Sequence, residues 1–221
     1  MTTKVMVCGT REQKDIKLLV EAGVDAIGLI TEVWQDIPCN LSRAEARGLS
    51  QLIPPFVSSV LILTEERVTE ICRMAEYVLP DVLQLHAFNT PDDVAVLKAR
   101  LNAKIIKTLH FQGDKMAEGN DPVESAKQYI AAGVSAILVD SYQQDKVGAT
   151  GEIVSLNLAR KLRDRIYPVP LIIAGGLHFG NVSYAIDKVK PYAVDVFSGV
   201  TTGGYLDTGK VSAFTARVRS S

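Results

Sequence analysis

The feature that most limits how this chain can fold is a regular alternation of short apolar runs with longer amphipathic segments. Eight runs have the length of a β-strand, and most are continuously apolar, as expected for parallel strands covered on both faces. Segments with helical spacing lie between them; one ends at Gly23, a helix-stop residue. The strand-like runs are Val5–Cys8, Ala26–Ile30, Val57–Leu63, Val82–Leu85, Lys104–Leu109, Ala136–Asp140, Leu171–Ala174 and Ala193–Phe197.

Polar residues ahead of several amphipathic segments mark where helices begin. Ser42 opens a capping-box pattern, which predicts a helix that runs to about Ile53, ahead of two prolines. Thr90 and Asp121 each precede a proline, a residue that is favoured at the first helical position. Thr64 is a further candidate for a helix start.

The spacing of these elements predicts a repeat. Eight strand-like runs and about eight helices divide the 221 residues into units of roughly 28, the size of a βα repeat. We therefore predict an α/β fold, a single-domain (β/α)₈ TIM barrel over residues 1–221. A doubly wound open sheet shows the same alternation, but it usually has about five or six strands, and no GxGxxG motif follows the first run.

Charge and composition exclude several classes of function. Lys plus Arg is 24 and Asp plus Glu is 25, a net charge of −1, without the basic excess that nucleic acid or an anionic membrane surface requires. With 47% hydrophobic residues the chain is typical of a globular protein. No apolar run approaches the roughly 18 residues of a membrane helix, and the N-terminal sequence has no signal-like stretch. The three cysteines form no CxxC pair, so we expect a reducing, cytoplasmic location.

The ends of the last two strand-like runs carry glycines, and functional groups of a barrel gather at the C-terminal ends of its strands. Gly175 and Gly176 follow the seventh run, and Ser198 and Gly199 follow the eighth. Glycines there let backbone N–H groups approach an anion, and many barrels bind a phosphate at this place. We expect these four residues to bind phosphate, although glycines can also serve only to turn the chain.

Two ionisable residues, Cys8 and Asp140, end the first and sixth runs. Each alone has a plain structural explanation, because a cysteine packs as a small hydrophobe and an aspartate caps the next element. Together, beside a phosphate site, they suggest a base and an acid. A thiolate can remove a proton from carbon if its pKa lies near neutrality, and a carboxyl whose pKa is raised by burial can protonate a leaving oxygen.

His86 directly follows the fourth run and Lys107 lies near the end of the fifth, and we expect both to contact substrate. Lys107 also permits another enzyme class, a lyase that forms an imine with a keto-sugar phosphate. No cation next to Lys107 in the sequence would lower its pKa, which argues against that class. A metal site is disfavoured because His86, His110 and His178 lie far apart in the sequence, and we expect neither a metal nor a cofactor.

Two loops are predicted to border the mouth of the barrel. The first, Thr31–Asn40, contains Trp34 and is expected to form a flap. The second is Gln143–Gly151.

The strand ends, taken in order, resemble those of one family, phosphoribosylanthranilate isomerase of tryptophan biosynthesis. The resemblance runs nearly end to end, and the order and spacing of its motifs make it specific. The motifs are Val7-Cys8-Gly9 with residues 21–28, Leu83-Gln84-Leu85-His86, Leu138-Val139-Asp140 with Gly148-Ala149-Thr150-Gly151, residues 173–177, and residues 194–200.

The resemblance implies an Amadori rearrangement that needs no cofactor and acts on a small phosphorylated sugar. Asp140 would be the general acid that protonates the furanose ring oxygen, and Cys8 would be the general base that removes the C2′ proton. An anchored phosphate would help place the reacting carbon within proton-transfer distance.

The sequence departs from the family pattern around the aromatic half of the substrate. The family's arginine after the second strand, which holds the anthranilate carboxylate, is Cys39 here. Losing that charge-assisted pair forfeits roughly 1.5–3 kcal/mol. Arg11 would restore the positive charge as a substrate-binding residue, and Arg43 is another candidate.

Several alternatives stay open at this point. If neither arginine serves, the aglycone is not anthranilate, and the chain is a divergent paralogue that isomerises or cleaves another phosphorylated sugar. A barrel that binds a phosphate ligand without catalysis is a further possibility, although it has no need of both Cys8 and Asp140. The oligomeric state, monomer or homodimer, is also open.

Overall fold

The computed structural model describes residues 2–117, 120–143, 146–147 and 154–221. Within these ranges eight parallel strands form one closed ring, which confirms the predicted TIM barrel. β1 pairs with both β2 and β8, and β5 pairs with β6, so the ring has no open edge. The strands are β1 (Lys4–Cys8), β2 (Ala26–Ile30), β3 (Ser58–Leu63), β4 (Val82–Leu85), β5 (Lys104–Gln112), β6 (Ala136–Gln143), β7 (Leu171–Ile173) and β8 (Ala193–Val196).

Helices alternate with the strands and surround the ring. Their apolar faces pack on the outward-facing residues of the strands in one continuous core. None of the helices in the described ranges combines the length and apolar character that spanning a bilayer requires. The helices are α1 (Gln13–Glu21), α2 (Arg43–Ser50), α3 (Val68–Val78), α4 (Pro91–Arg100), α5 (Pro122–Ala131), α6 (Leu156–Ile166), α7 (Val182–Val189) and α8 (Thr208–Arg219).

Three of the predicted helix starts are confirmed by side-chain caps. Ser42 accepts the N–H of Glu45 at the start of α2, Thr90 caps α4, and Asp121 caps α5. Each cap satisfies a backbone donor that the first turn of a helix leaves without an intrahelical partner. The helix after Ser42 is shorter than predicted, because α2 ends at Ser50.

The predicted start at Thr64 is wrong, because α3 begins at Val68. The carboxylate of Glu65 instead accepts the N–H of Arg67 at 2.8 Å and holds a turn between β3 and α3. An acceptor one residue after Thr64 therefore replaces the expected cap.

Alternation along each strand divides its side chains between two environments. Along β5, Ile105 and Leu109 face the helices, whereas Ile106 packs inside the ring. Inward side chains of the other strands, Met6 and Ile62 among them, fill the lower part of the ring. The inward residues nearest the strand ends are therefore the ones that can reach a ligand.

Short antiparallel strands extend the barrel beyond the C-terminal ends of β5, β6 and β8. β5 and β6 are longer than predicted, since each continues into an antiparallel partner, Lys115–Met116 and Lys146–Val147. After β8 a single 3₁₀ turn, Ser198–Val200, leads into a hairpin of Thr201–Thr202 with Tyr205–Leu206.

Candidate active site

A cavity of about 370 Å³ opens at the C-terminal ends of the strands. Six of the nine predicted site residues line it, and the other three, all within the described ranges, lie elsewhere. The six are Cys8, His86, Asp140, Gly175, Gly176 and Ser198. Residues not predicted for the site also contribute, among them Asp195, Gln84 and Phe197.

Cys8 lies at the end of β1 and is buried in the wall of the cavity. Its thiol donates a hydrogen bond to Oδ1 of Asp195 at 3.0 Å. Burial, together with the neighbouring negative charge of Asp195, raises the pKa of Cys8 well above its usual value of 9.0. The thiol therefore does not ionise near neutrality by itself, and its action as a base requires a partner that accepts its proton.

Asp195 is placed to be such a partner, and no role for it was predicted from the sequence. It lies on β8, beside β1 in the sheet, where Met6 is its register partner. Burial raises the pKa of Asp195 to about 7, and the negative charge of Asp140 also raises it, whereas the hydrogen bond from Cys8 lowers it. A carboxyl that exchanges its proton near neutrality can receive the proton of the thiol.

Asp140 lies within β6, on the wall of the cavity, and is held at both carboxylate oxygens. The N–H of Ser141 donates to Oδ1 at 2.8 Å, and Nε2 of His86 lies 3.3 Å from Oδ2. Gly175 is packed directly beside this carboxylate, since a Cβ at its position would lie 2.8 Å from Oδ1. The cavity therefore holds Asp140 in a fixed orientation, as proton donation to a bound ligand requires.

A second histidine, His110 of β5, lies next to His86. The two ring centroids are 4.8 Å apart, and Nε2 of His110 donates to the backbone oxygen of His86 at 3.0 Å. Burial lowers the pKa of His110 well below its usual value of 6.5, and the charge of His86 adds to the effect. The barrel thus brings together His86, His110 and Asp140, although their distance in the sequence argued against such a cluster.

The two predicted phosphate loops touch each other. Gly175 and Gly176 have φ angles of +78° and +59°, which favour glycine, and Asn181 donates to the oxygen of Gly176 at 2.9 Å. Gly199 does not line the cavity, but a Cβ there would collide with the backbone oxygen of Leu177. Its glycine therefore allows the loop after β8 to approach the loop after β7.

The expected substrate contact of Lys107 is wrong. Its side chain leaves β5 on the outer face of the ring and is fully buried against α5. Nζ donates to the backbone oxygens of Ala87 at 2.6 Å and Thr108 at 2.8 Å, and lies 5.3 Å from the ring of Tyr129. The wall of the barrel separates this amine from the cavity.

Arg11, in the loop after β1, does not line the cavity. Its guanidinium stacks 4.3 Å from the ring centroid of Tyr205, on the hairpin after β8. Cys39, which stands where the resembled family has its arginine, is fully buried, and burial raises its pKa to about 11 while the charge of Arg11 lowers it. Arg43, the other candidate, pairs with Glu32 at 2.7 Å.

The loop after β2 covers one side of the cavity. Val33, Gln35 and Ile37 line it, whereas the side chain of Trp34 is 67% exposed. The side chain of Asn40 holds this loop, accepting from the N–H of Val33 at 3.0 Å and donating to its oxygen at 2.8 Å. The segment 148–151 of the second predicted loop lies outside the described residues.

Comparisons with known proteins agree with the geometry. The family model for N-(5′-phosphoribosyl)anthranilate (PRA) isomerase matches residues 5–217. A relative named N-(5′-phosphoribosyl)anthranilate isomerase, from Methanothrix thermoacetophila, is 34% identical over 99% of each chain.

Solved structures of proteins with that name have the same fold. The crystal structure of phosphoribosyl anthranilate isomerase from Thermotoga maritima superposes with a TM-score of 0.81 at 26% identity, over 99% of each chain. A phosphoribosyl anthranilate isomerase in complex with reduced 1-(o-carboxyphenylamino)-1-deoxyribulose 5-phosphate superposes with a TM-score of 0.78, also at 26% identity over 99% of each chain.

Proposed function

The chain belongs to the N-(5′-phosphoribosyl)anthranilate isomerase family, and on this basis we propose that it converts N-(5′-phosphoribosyl)anthranilate into 1-(o-carboxyphenylamino)-1-deoxyribulose 5-phosphate, a step of tryptophan biosynthesis. The observation that carries the proposal is the placement of Cys8 and Asp140 in one cavity. The reaction needs one group that protonates the furanose ring oxygen and another that removes the proton from C2′.

Asp140 is the general acid of this proposal. In its protonated form it donates to the ring oxygen, and the ring opens to an iminium ion. Nε2 of His86 lies 3.3 Å from Oδ2 of Asp140, and the N–H of Ser141 fixes the other oxygen. These two contacts keep the carboxyl aimed at one place in the cavity.

Cys8 and Asp195 together are the base. Asp195 takes the thiol proton along the 3.0 Å hydrogen bond, and the thiolate that results removes the C2′ proton from the iminium ion. The enolamine formed in this way then tautomerises to the aminoketose. Since the pKa of Asp195 is about 7, its carboxylate is available to accept this proton at and above neutral pH. The transfer is uphill because the pKa of Cys8 is raised well above 9.0, so the thiolate is formed only transiently as it reacts with C2′.

The phosphate and the carboxylate of the substrate are assigned to different groups, the first in the wall of the cavity and the second outside it, in the loop after β1. Backbone N–H groups of the loops that carry Gly176 and Ser198 are proposed to hold the phosphate, since both loops line the cavity. Arg11 is proposed to hold the anthranilate carboxylate, because Cys39 is buried and neutral and Arg43 is engaged by Glu32.

Two other functions are less well supported. An imine-forming lyase needs an amine in the cavity, and Lys107 lies outside it. A barrel that only binds a phosphate ligand has no need of two proton-exchanging pairs in its wall. A related isomerase with a different aglycone keeps one specific observation in its favour, the replacement of the family arginine by Cys39.

A cytoplasmic location is part of the proposal. Cys8, Cys39 and Cys72 are free and buried thiols, which agrees with a reducing compartment.

The decisive experiment is an assay with N-(5′-phosphoribosyl)anthranilate formed in situ, in which loss of its fluorescence measures turnover. We expect the wild-type chain to be active and Cys8→Ala to have lost turnover while it still binds a ribose phosphate analogue. An unchanged rate for Cys8→Ala would end the assignment of the base. Binding of the analogue by a wild-type chain without turnover would favour the purely binding barrel.

A further inference from the structure

One cluster beside the cavity contains a group that the proposed reaction does not use. His86 and Asp140 take part in the acid step, whereas His110 has no role in it. The nearest ligand atoms of the three residues, one from each, all lie within 4.8 Å of one another. The separation of the histidines in the sequence argued against a metal site. The fold brings the three residues together, because β4, β5 and β6, which carry or precede them, are consecutive strands of the ring.

The ligand set suits a late first-row divalent cation. Two imidazoles and one carboxylate with an open fourth position are typical of zinc sites that face a cavity. Tetrahedral bonds of about 2.0–2.2 Å place neighbouring ligand atoms roughly 3.4 Å apart, and the 3.3 Å between His86 Nε2 and Asp140 Oδ2 already has this spacing. His110 would approach the pair by roughly an ångström on binding.

Hydrogen bonds to backbone groups orient the ligands. Nε2 of His110 donates to the backbone oxygen of His86, so in the neutral ring the lone pair is on Nδ1. A bond of this kind from the second ring nitrogen to a carbonyl commonly orients a metal-binding histidine. The N–H of Ser141 binds Oδ1 of Asp140, and this leaves Oδ2 facing His86.

We propose that His86, His110 and Asp140 bind one divalent transition-metal ion, Zn²⁺ or a close analogue, and that the bound ion inhibits the isomerase. Bound to Oδ2 of Asp140, the ion occupies an oxygen of the proposed acid, and any proton on that oxygen is released to solvent. Asp140 then has no proton to give to the sugar ring. The binding site stands on the geometry alone, whereas the inhibition rests on the proposed function.

Binding is tested with Co²⁺, which absorbs visible light when it is bound in a tetrahedral site. We expect the wild-type chain to show this absorption at one ion per chain and to lose it when excess Zn²⁺ is added. His110→Gln should lose the absorption, because the amide keeps a donor for the oxygen of His86 but is a poor ligand. His178→Gln, at an exposed histidine outside the cluster, is the matched control and should keep it.

A measurement on the wild-type chain guards against misfolding of His110→Gln. The chain has three histidines, so its imidazole NMR signals are few. Co²⁺ should broaden or shift the signals of His86 and His110 and leave that of His178 unchanged. Equal binding of Co²⁺ by His110→Gln and the wild type would overturn the site. Binding that is lost in Cys8→Ala and kept in His110→Gln would also overturn it and would place the ion at the thiol.

The activity arm separates the two claims. Saturating Zn²⁺ should lower wild-type turnover by about tenfold or more, since a general acid contributes about 10²–10⁴-fold, and a chelator should restore it. His110→Gln should turn over without added metal and resist Zn²⁺. Binding at the three residues without inhibition would overturn the inhibition alone, whereas a chain inactive in all conditions would contradict the proposed function and leave the spectroscopic result to decide the site.

Discussion

The ionisable residues of the cavity occur in pairs, Cys8 with Asp195 and His86 with Asp140. In each pair a short contact joins a group proposed to react with the substrate to a second ionisable side chain. In the proposed mechanism, the pairing with Asp195 allows a thiol with a raised pKa to serve as a base. The energetic cost of this arrangement is that two carboxyl groups, Asp140 and Asp195, are buried close together, so that the charge of Asp140 raises the pKa of Asp195.

Asp195→Asn tests the base pair. The amide oxygen still accepts the thiol hydrogen bond but cannot take its proton, so we expect kcat/KM to fall by about 10²–10⁴-fold. In the wild type, kcat/KM should rise as the pH increases through about 7, where Asp195 loses its proton, and this limb should be absent from the variant. A pH profile of both enzymes measures the effect.

Stability separates this role from a structural one. The folded pKa of Asp195 is raised above its usual value of 3.8, so the ionised form destabilises the fold increasingly as the pH rises toward 7. Asp195→Asn should therefore melt at the same temperature as the wild type or higher at pH 8. A variant that is both inactive and less stable at this pH would indicate that Asp195 serves the fold.

Arg11→Ala tests the carboxylate partner. Loss of a charge-assisted bond of roughly 1.5–3 kcal/mol should raise KM about 10–100-fold with a smaller effect on kcat. The matched control is Arg43→Ala, which removes an exposed arginine paired with Glu32 and should change KM by less than about twofold. Steady-state kinetics that show equal effects in the two variants would contradict the assignment.

The sequence predicted single residues well where position along a strand was enough. Cys8 ends β1, His86 directly follows β4, Asp140 lies in the last half of β6, and all three reach the cavity. Lys107 was assigned by the same rule, but its alternation with Ile106 places it on the outer face, and a position near a strand end does not specify the face. Asp195 was not predicted because it lies inside an apolar run. The available signal was an acidic residue between two valines of a strand, Val194 and Val196.

At the scale of elements, the ends of β6 and β7 depend on each other through Gly175. Its φ of +78° is unfavourable for other residues, and a Cβ would lie 2.5 Å from Ser141 Oγ and 2.8 Å from Asp140 Oδ1. Gly113, at the tip of the ribbon after β5, has a similar φ of +59°, but among the described residues no heavy atom lies within 4 Å of the place where its Cβ would be. The two glycines therefore differ in crowding while they share a backbone conformation.

Gly175→Ala should lower the free energy of unfolding by about 2–4 kcal/mol and reduce kcat as well, because the methyl group displaces Asp140. Gly113→Ala should lower it by only about 1–2 kcal/mol, the cost of the backbone conformation, and leave kcat unchanged. Urea unfolding and steady-state kinetics on both variants measure the difference. Equal losses of unfolding free energy in the two variants would show that the structure accommodates a methyl group at position 175 without further cost.

The elements themselves were predictable because a covered parallel strand and an amphipathic helix differ in apolar period. Their bounds were less so. β5 was expected to end at Leu109 and runs to Gln112, because its pairing with Lys115–Met116 extends it beyond the apolar run. The start of α3 was misplaced because Glu65, an acceptor in the turn, replaced the expected cap at Thr64.

At the scale of the whole molecule, Asp25 ties the first and last elements together at the end of the barrel away from the cavity. Its carboxylate accepts from Nζ of Lys4 and the N–H of Val5, both at 2.8 Å, and from Arg219 of α8 at 2.7 Å. Partial burial raises the pKa of Asp25, but these hydrogen bonds outweigh it, and the pKa falls below the usual 3.8. The ionised carboxylate therefore stabilises the closed ring.

Asp25→Asn should lower the free energy of unfolding by about 1–2 kcal/mol at neutral pH. The loss is smaller than that expected for a fully buried charged group, because solvent screens the partly exposed carboxylate. Because the folded pKa lies below 3.8, the difference from the wild type should persist above that pH and disappear as the pH falls through the folded pKa. Glu21→Gln, which removes an exposed partner of Lys17, is the control and should change stability by less than about 0.5 kcal/mol. Urea titrations between pH 7 and pH 3 test both expectations; a constant difference would contradict the linkage.

The division between the ring and its loops has a consequence for how such a protein changes over generations. The strands bear the inward-pointing Cys8, Asp140 and Asp195, whereas Arg11 and Cys39 stand on the connecting segments above them. Under the proposed function, mutations in those segments change which substrate binds and leave the proposed acid and base in place. After a gene duplication, one copy can therefore acquire a new substrate specificity while it keeps the chemistry of the strands.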